Sequence, residues 1–277
     1  DQVLIVTDNI AKFYAINLNN GELIWSKNNS APFNSQVKIF KDKFFAIDFE
    51  NILRCYSIKD GKEIWSFKSE KSFIKSQQKL SFIINNNKLV FINTLGDLSS
   101  VDIETGNLVW QTPTQSSAIY ENYFSLKNSD LIAENKSIYF SNNKNEFYSV
   151  DLTKGVIKWM NKVNSTLTPI LINDFIFTIS EDGFLITIQK KQGNILRIND
   201  IYKDYKNKHR KKIKPVGFSI GQNKLYLSNT DGKMIQVELN SGRPLKLIKV
   251  SGNIISKPFI HNGNLFVIKN GSVIRYN

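Results

Sequence analysis

The sequence predicts an all-β fold, a β-propeller built from four-stranded antiparallel blades. Three observations support this prediction. A unit that reads as strand, tight turn and a short strand closed by tryptophan recurs along the 277-residue chain. All four tryptophans occupy the same position in that unit, four residues after a glycine. The glycines recur every 38 to 49 residues, and a strand-rich period of roughly 40–50 residues is typical of propellers.

The repeating unit is clearest between Val101 and Trp110. Gly106 supplies the positive φ that the turn needs, and Asp102 and Thr105 can hydrogen-bond to the nearby backbone. We expect the tryptophans to pack against the neighbouring blade as structural residues rather than to stack on a cofactor. The four complete pairs are Gly21 with Trp25, Gly61 with Trp65, Gly106 with Trp110, and Gly155 with Trp159. Two degenerate copies follow at Gly193 and Gly242, with Arg197 and Lys246 in place of tryptophan.

Each repeat divides into four short strands, here named A to D, which are rich in apolar and β-branched residues. Turn residues such as Asp182-Gly183 and Asn270-Gly271 separate B from C and favour tight hairpins. The expected strands are 35–40, 43–49, 52–58 and 63–67 in repeat two; 80–84, 89–93, 98–103 and 108–111 in repeat three; 130–133, 138–141, 147–152 and 156–160 in repeat four; 169–172, 175–180, 184–189 and 194–198 in repeat five; 216–220, 224–228, 234–239 and 244–250 in repeat six.

The two ends of the chain carry incomplete repeats. The N-terminal part supplies only B, C and D, at 3–7, 12–18 and 22–25. The C-terminal part supplies only A, B and C, at 258–261, 264–269 and 272–276. We therefore expect residues 1–277 to form a single, monomeric propeller domain with about seven blades of an expected eight. Closed propellers complete the last blade with a strand from the other terminus, so residues upstream of Asp1 are expected in the native protein.

No residue pattern in the sequence argues for catalysis, a metal or a cofactor. The chain has two histidines, His209 and His261, and no cluster with metal-ligand spacing. It also lacks a P-loop, a GxGxxG motif and a nucleophile elbow. Cys55 is the single cysteine and lies in an apolar strand, so we expect a buried, inert thiol. A run of about 18 apolar residues, which a membrane span requires, is absent.

Two segments between strands are longer than the rest. The first spans 112–129 and carries Phe124. The second spans 201–214 and holds seven basic residues, which are Lys203, Lys206, Lys208, Arg210, Lys211, Lys212 and Lys214. This second segment is either a solvated loop or a contact with anionic lipid head groups or an acidic partner. The net charge is +13, but most of it is scattered, so nucleic-acid binding is not expected.

The Gly-x-x-x-Trp unit, preceded by an acidic residue or Asn, resembles the repeat of the PQQ-like propeller family over most of the chain. One branch of that family, the quinoprotein dehydrogenases, holds pyrroloquinoline quinone and Ca²⁺ and carries an adjacent cysteine pair. This chain has Cys55 alone and departs from that pattern. It is most similar to the BamB branch, lipoproteins of the outer-membrane β-barrel assembly machinery. That resemblance implies a non-enzymatic scaffold without a cofactor, on the periplasmic side of the outer membrane and lipid-anchored through a missing N-terminal segment.

The resemblance also implies a partner site. The BamB branch contacts the barrel-assembly subunit BamA through a Leu-Ser-Leu-Arg segment after its third tryptophan repeat. The comparable residues here are Phe124-Ser125-Leu126-Lys127, so the expected partner-binding residues are Phe124, Leu126 and Lys127. A second, acidic contact is in doubt because Asn164 and Thr166 replace two aspartates. The implied partners are BamA-like periplasmic domains and unfolded outer-membrane proteins. Two alternatives remain open: a fragment of a quinone-dependent dehydrogenase, or a generic PQQ-like protein-binding propeller.

Overall fold

The computed structural model describes residues 2–70, 79–114 and 126–276. These residues form seven antiparallel sheets and one short helix. The strands of each sheet follow one another along the chain, and neighbours in sequence are hydrogen-bonded neighbours in space. Each sheet is therefore built from one sequence repeat, as a propeller blade is.

The first three sheets cover the first half of the chain. Sheet 1 has three strands, and sheets 2 and 3 have four each. Their strands are β1 (Val3–Thr7), β2 (Lys12–Asn17) and β3 (Leu23–Asn28); β4 (Lys38–Phe40), β5 (Lys43–Ile47), β6 (Ile52–Ser57) and β7 (Glu63–Lys68); β8 (Phe82–Asn85), β9 (Lys88–Ile92), β10 (Leu98–Asp102) and β11 (Leu108–Thr112).

The remaining four sheets follow in the same manner. Sheets 4, 5 and 6 have four strands and sheet 7 has three. Their strands are β12 (Ile132–Glu134), β13 (Ser137–Asn142), β14 (Glu146–Asp151) and β15 (Ile157–Asn161); β16 (Ile170–Ile172), β17 (Phe175–Ile179), β18 (Phe184–Gln189) and β19 (Ile195–Asp200); β20 (Pro215–Gly221), β21 (Lys224–Asn229), β22 (Lys233–Glu238) and β23 (Pro244–Lys249); β24 (Phe259–His261), β25 (Asn264–Lys269) and β26 (Ser272–Tyr276).

The chain divides into two compact units. Unit 1 comprises Asp1–Lys127, Ala133–Ile138 and Val150–Val156, and unit 2 comprises Asn128–Ile132, Tyr139–Ser149 and Ile157–Asn277. Each has its own apolar core. The core of unit 1 includes the fully buried side chains of Phe45, Leu53 and Phe91. The core of unit 2 includes those of Tyr202, Leu225 and Val237.

Burial follows strand position within each sheet. The two middle strands of sheet 2, β5 and β6, are mostly buried, whereas the last strand, β7, alternates between exposed and half-buried residues. Sheets 3 and 5 show the same gradient. The Val-, Ile- and Phe-rich middle strands therefore form the core, and the last strand of each sheet is its exposed edge.

The hairpin turns between the B and C strands lie where the sequence predicts them. Each contains a residue with positive φ, and asparagine or glycine adopts that conformation at the lowest cost. Examples are Asn51 at φ 59°, Asn145 at φ 63° and Gly183 at φ 80°. The B–C turns of sheets 2 to 7 therefore use residues that suit a tight reversal, whereas Ala11 takes a positive φ of 69° in the turn of sheet 1.

The last strand of the repeat differs from the sequence prediction. Tryptophan does not close this strand, because β3 continues three residues beyond Trp25, to Asn28. A β-bulge precedes the tryptophan: Ala15 pairs with Trp25 and Ile16 with Leu23, which leaves Ile24 as the extra residue. The same shift recurs at the equivalent position of sheets 2, 3, 5 and 6. The bulge depends on pairing between two strands, so it leaves no clear pattern in either strand alone.

The segment 201–214 is not a plain loop. It contains a one-turn helix, α1 (Asn207–Arg210), and buries Ile201, Tyr202 and Ile213 in the core of unit 2. The interpretation of the whole segment as a solvated excursion is therefore wrong for its apolar residues. No helix formed by the described residues is long and apolar enough to cross a membrane.

Candidate functional site

Each tryptophan of the repeat reaches the following repeat along the chain. The indole N–H donates to a main-chain carbonyl that lies three residues before the next glycine. The four hydrogen bonds join Trp25 to Ile58 at 2.9 Å, Trp65 to Ile103 at 3.2 Å, Trp110 to Leu152 at 3.1 Å and Trp159 to Lys190 at 3.0 Å. All four rings are half-buried. The contact therefore links successive repeats through both packing and a hydrogen bond.

The repeat glycines lie directly against these rings. A Cβ added at Gly106 would stand 2.6 Å from a ring carbon of Trp65, and one at Gly155 would stand 2.6 Å from Trp110. Gly61 and Gly193 make the same approach to Trp25 and Trp159. Gly21 is the exception, since a Cβ there would meet no atom within 4 Å. Because it has no side chain, the glycine leaves room for the tryptophan of the preceding repeat, and its positive φ forms the turn of its own repeat.

Arg197 replaces tryptophan in the fifth repeat and takes over its hydrogen bond. Its Nη2 donates to the carbonyl of Leu239 at 2.6 Å, which is the equivalent acceptor, and its Nη1 donates to the carbonyl of Asn240. Beside it lies a cavity of about 430 Å³. The lining residues are Ile172, Asn173, Phe175, Phe177, Thr187, Leu196, Arg197, Asn223, Leu239 and Asn240.

The predicted partner segment is only partly covered by the described residues. Phe124 lies outside them. Leu126 is 7% exposed, so its side chain already packs within its own chain, whereas Lys127 is exposed. Before the segment, the hydroxyl of the buried Thr114 donates to the carbonyl of Gly96. After it, the main-chain N–H of Ser129 donates to the carbonyl of Ser141 at 2.8 Å. Main-chain carbonyls of the B–C turn of sheet 3 and of strand β13 thus hold the chain on the two sides of this segment.

The basic segment 201–214 presents most of its charge to solvent. Its exposed cations are Lys203, Lys206, Lys208, Lys211, Lys212 and Lys214. Arg210 differs, because its guanidinium forms an ion pair with Asp200 at 2.6 Å and lies over the ring of Phe184. The hydroxyl of the buried Tyr202 donates to Asn229 Oδ1 at 2.5 Å and holds the segment against the core of unit 2. An anchored turn thus carries several exposed lysines.

The outer strands expose aliphatic side chains at their bulges. The extra residue of each bulge is Ile24, Ile64, Val109, Leu196 and Leu245 in sheets 1, 2, 3, 5 and 6, and all five are between 46% and 53% exposed. Bulges protect a sheet edge against the addition of another strand. An approaching polypeptide therefore meets these side chains rather than a regular row of main-chain groups.

Polar side chains close the B–C turns, a feature that the sequence reasoning missed. Asp48 Oδ1 accepts from the main-chain N–H groups of Glu50 at 2.9 Å and Ile52 at 3.0 Å. Asn93 Oδ1 accepts in the same way from Leu95 and Asp97, both at 2.9 Å. Asp8 and Asn142 occupy the equivalent positions. The signal in the sequence is an Asp or Asn at the end of strand B, and its role is structural.

The residues expected of a quinone site do not fit this chain. Cys55 is fully buried between Phe45 and Trp65 in sheet 2, and burial raises the pKa of its thiol to about 12. It has no neighbouring cysteine with which to form the pair of the quinoprotein dehydrogenases. Among the described residues, no group of three or more His, Cys, Asp or Glu side chains could hold a metal ion.

Comparison with known proteins identifies related sequences and folds. The family model described as "Outer membrane protein assembly factor BamB" matches residues 1–199. No curated protein matches the sequence. The crystal structure of BamB from Moraxella catarrhalis superposes with a TM-score of 0.80 and 16% identity, covering 99% of this chain and 81% of that one. The quinohemoprotein alcohol dehydrogenase from Comamonas testosteroni gives a TM-score of 0.67 and 12% identity, covering 96% of this chain and 62% of that one.

These matches confirm the predicted fold class. At 16% and 12% identity the structural likenesses establish a β-propeller fold and nothing finer. The seven sheets of the described residues agree with the predicted number of blades. The match of the family model over residues 1–199 is the comparison that gives information about evolutionary relationship.

Proposed function

Because the chain belongs to the BamB family of PQQ-repeat propellers, we propose that it is a non-enzymatic scaffold of the outer-membrane β-barrel assembly machinery. The family match over residues 1–199 is the observation that carries this proposal. The scaffold acts by docking a BamA-like partner and not by chemistry. It works on the periplasmic side of the outer membrane, held there by a lipid anchor.

The docking site that we propose is the segment that ends at Lys127. Thr114 and Leu126 are buried and hold the two sides of this segment in unit 1. Lys127 is exposed and is suited to a charged contact at the rim of an interface, where charge mainly tunes the association rate. Phe124 supplies the apolar contact. Leu126 positions the segment and does not touch the partner.

Unfolded barrel substrates form a second class of ligand in this proposal. The exposed aliphatic residues at the outer bulges support it. Sheets 1, 2 and 3 each present one in unit 1, sheets 5 and 6 each present one in unit 2, and within a unit they offer apolar contacts to an extended chain. Their bulges disfavour pairing of a substrate strand with the sheet edge. Side-chain contacts therefore hold the substrate weakly and at several points.

A binding assay with the immobilised periplasmic region of a BamA-like protein tests the docking site. We expect saturable binding of the wild-type chain. Phe124→Ala should weaken it about fivefold or more, as loss of an apolar anchor does. Lys127→Glu should slow association and reduce its salt dependence. Lys154→Glu is the matched control, because it reverses an exposed charge of the same unit on a turn outside the segment.

Circular dichroism spectra and melting curves must match those of the wild type for each variant to count. If wild-type protein fails to bind, the scaffold proposal is wrong. If Phe124→Ala and Lys127→Glu both bind as the wild type does, the docking site lies elsewhere on the chain.

A quinone-dependent dehydrogenase is the second candidate function, favoured by the structural likeness to the quinohemoprotein alcohol dehydrogenase. That likeness extends over 62% of the length of the enzyme, and its 12% identity reflects the fold. The single, buried Cys55 argues against the cysteine pair that such enzymes carry. The scaffold function therefore has the stronger support.

A further inference from the structure

A small apolar cleft, here called the Leu247 cleft, lies between the segment 201–214 and the outer strand of sheet 6. Both of its sides belong to unit 2. Ile201 and Tyr205 line it on the side of the segment, and Leu245 and Leu247 line it on the side of the sheet. Its volume is about 160 Å³. An apolar cavity of about 150 Å³ can hold one benzene molecule, so the cleft has room for one apolar side chain.

The walls of the cleft are held in place by the core of unit 2. Ile201 and Ile235 line the cleft, and both are buried in that core. The ring of Tyr205 packs edge-on against Tyr202 and stacks on His209, with 5.5 Å between the ring centroids in both pairs. The cleft is therefore formed without a ligand, and binding costs little ordering of its walls.

The outer strand of sheet 6 exposes two leucines at the cleft. Leu245 is 53% exposed and Leu247 is 50% exposed. Leu247 follows the position that tryptophan occupies in the complete repeats, and the equivalent residues are Ser26 in sheet 1 and Ser66 in sheet 2. The repeat thus accepts serine at this position, and Leu247 supplies apolar surface that the sheet itself does not require.

Lysines stand on the strand side of the cleft. Lys246 is exposed and lines the cleft between the two leucines. Lys249 is exposed and pairs across the strands with Lys233, whose Nζ lies 5.5 Å from the Tyr205 ring. Lys249 therefore lies on the face of the sheet that carries the cleft. Asp204 brings a negative charge on the side of the segment. The strand side of the cleft thus attracts a carboxylate.

We propose that the Leu247 cleft binds an acidic segment of a partner polypeptide. One leucine of that segment enters the cleft and packs on Leu245 and Leu247, and glutamates beside it pair with Lys246 and Lys249. The net charge of +13 favours the approach of such a segment. A concave cleft of this size fits a side chain better than a flat lipid surface. The proposal concerns unit 2 and does not rest on the docking site proposed in unit 1.

Fluorescence anisotropy with three labelled peptides tests the cleft without any protein partner. The first peptide has one leucine between two pairs of glutamates. The second has alanine in place of the leucine, and the third has glutamines in place of the glutamates. We expect the first peptide to bind about fivefold or more tightly than either of the others, because each of those lacks one part of the contact. Its binding should weaken as the salt concentration rises.

Leu247→Ser places the serine of sheets 1 and 2 at the cleft. It should weaken binding of the leucine peptide about threefold or more, because apolar contact is lost, and should leave binding of the alanine peptide unchanged. Ile198→Ser is the matched control. Ile198 is 57% exposed at the equivalent position of sheet 5 and does not line the cleft, so this variant should bind the leucine peptide as the wild type does.

Charge variants test the polar part of the contact. Lys246→Glu with Lys249→Glu should weaken binding of the leucine peptide about tenfold or more. Lys154→Glu with Lys191→Glu is the control of equal net charge on exposed turns away from the cleft. Asp204→Asn should strengthen binding about twofold, because it removes a charge of the same sign as the peptide. All substituted residues are exposed, and circular dichroism checks that the variants fold.

Four results would overturn the inference. They are no detectable binding of the leucine peptide, equal binding of the leucine and alanine peptides, equal effects of Leu247→Ser and Ile198→Ser, and equal loss in the two double charge variants. Sedimentation with anionic vesicles that depends on Leu247 would assign the cleft to a lipid surface instead. Because no BamA-like protein takes part, failure of this inference is distinguishable from failure of the scaffold proposal.

Discussion

At the scale of single residues, glycine and tryptophan define the repeat, but each of them contacts a neighbouring repeat. The sequence predicts that Gly106 adopts a positive φ, and it does so at φ 73°. A Cβ on Gly106 would collide with Trp65 of the preceding repeat, which the spacing within one repeat cannot show. The residue types and their order were thus predictable, whereas their pairing between repeats required the packed structure.

Gly106→Ala and Gly21→Ala separate the two roles of the repeat glycine. Both residues have positive φ, at 73° and 74°, so both variants carry the same backbone strain. Only Gly106→Ala also forces a Cβ to within 2.6 Å of a tryptophan ring. We expect Gly106→Ala to lower the free energy of unfolding by about 1–3 kcal/mol more than Gly21→Ala, as overpacking does. Chemical denaturation measures the stability of both variants. Equal midpoints would show that the Trp65 ring moves aside without a measurable cost in free energy.

Cys55 gives a second test at this scale. Burial raises the pKa of its thiol to about 12, so the reactive thiolate is scarce at pH 8. We expect a thiol reagent such as DTNB to react with Cys55 only as fast as the protein unfolds, and to react at once in denaturant. Fast labelling of the native protein at pH 8 would show that sheet 2 opens locally.

At the scale of elements, the middle strands were easier to predict than the outer ones. Runs of apolar residues between Asn, Asp and Gly locate strands such as β5, β9 and β17 closely. The outer strands run beyond the tryptophan because they pair further along strand C, and their bulges arise from that pairing. The structural role of Tyr202 was also missed, because the lysines around it make the segment look solvated.

The contact of the segment 201–214 with an anionic surface stays a prediction, and vesicle sedimentation tests it. Lys206, Lys208 and Lys211 are exposed, and each lysine near an anionic surface is worth about 1 kcal/mol. We expect the protein to sediment with phosphatidylglycerol vesicles at low salt and to detach as salt rises. Reversal of all three charges to glutamate should weaken sedimentation by about tenfold or more.

The control for that experiment reverses three other exposed lysines, Lys59, Lys154 and Lys191, so that both triple variants have the same net charge. Arg210 is left unchanged because its ion pair with Asp200 supports the fold of the segment. Equal loss in both triple variants would mean that net charge alone attracts the protein to vesicles.

At the scale of the whole molecule, the family and the fold class were predictable because the repeat appears four times almost intact. The docking site followed from the family resemblance alone, because partner contacts leave no periodic signal in a sequence, and it stays a prediction since Phe124 lies outside the described residues. The role of Arg197 required the structure: the sequence shows a degenerate repeat there, but only the packed chain shows that its guanidinium takes over the hydrogen bond of the tryptophan.

A scaffold without a cofactor should lack redox activity. We expect no reduction of an electron-acceptor dye with alcohols or sugars as substrates, even when pyrroloquinoline quinone and Ca²⁺ are added. The physical reason is that the one cysteine is buried and has no partner for the pair that holds the quinone in the dehydrogenases. Quinone-dependent turnover with saturable quinone binding would favour the second candidate function.

Co-purification from the native envelope tests the central proposal most directly. The full-length protein, tagged at its C-terminus, is isolated from detergent-solubilised membranes and its partners are identified by mass spectrometry. The scaffold proposal predicts that the BamA-like barrel-assembly subunit co-purifies in near-stoichiometric amount, and that Phe124→Ala with Lys127→Glu reduces this amount while Lys154→Glu does not. Recovery of the wild-type protein without that subunit would contradict the proposal.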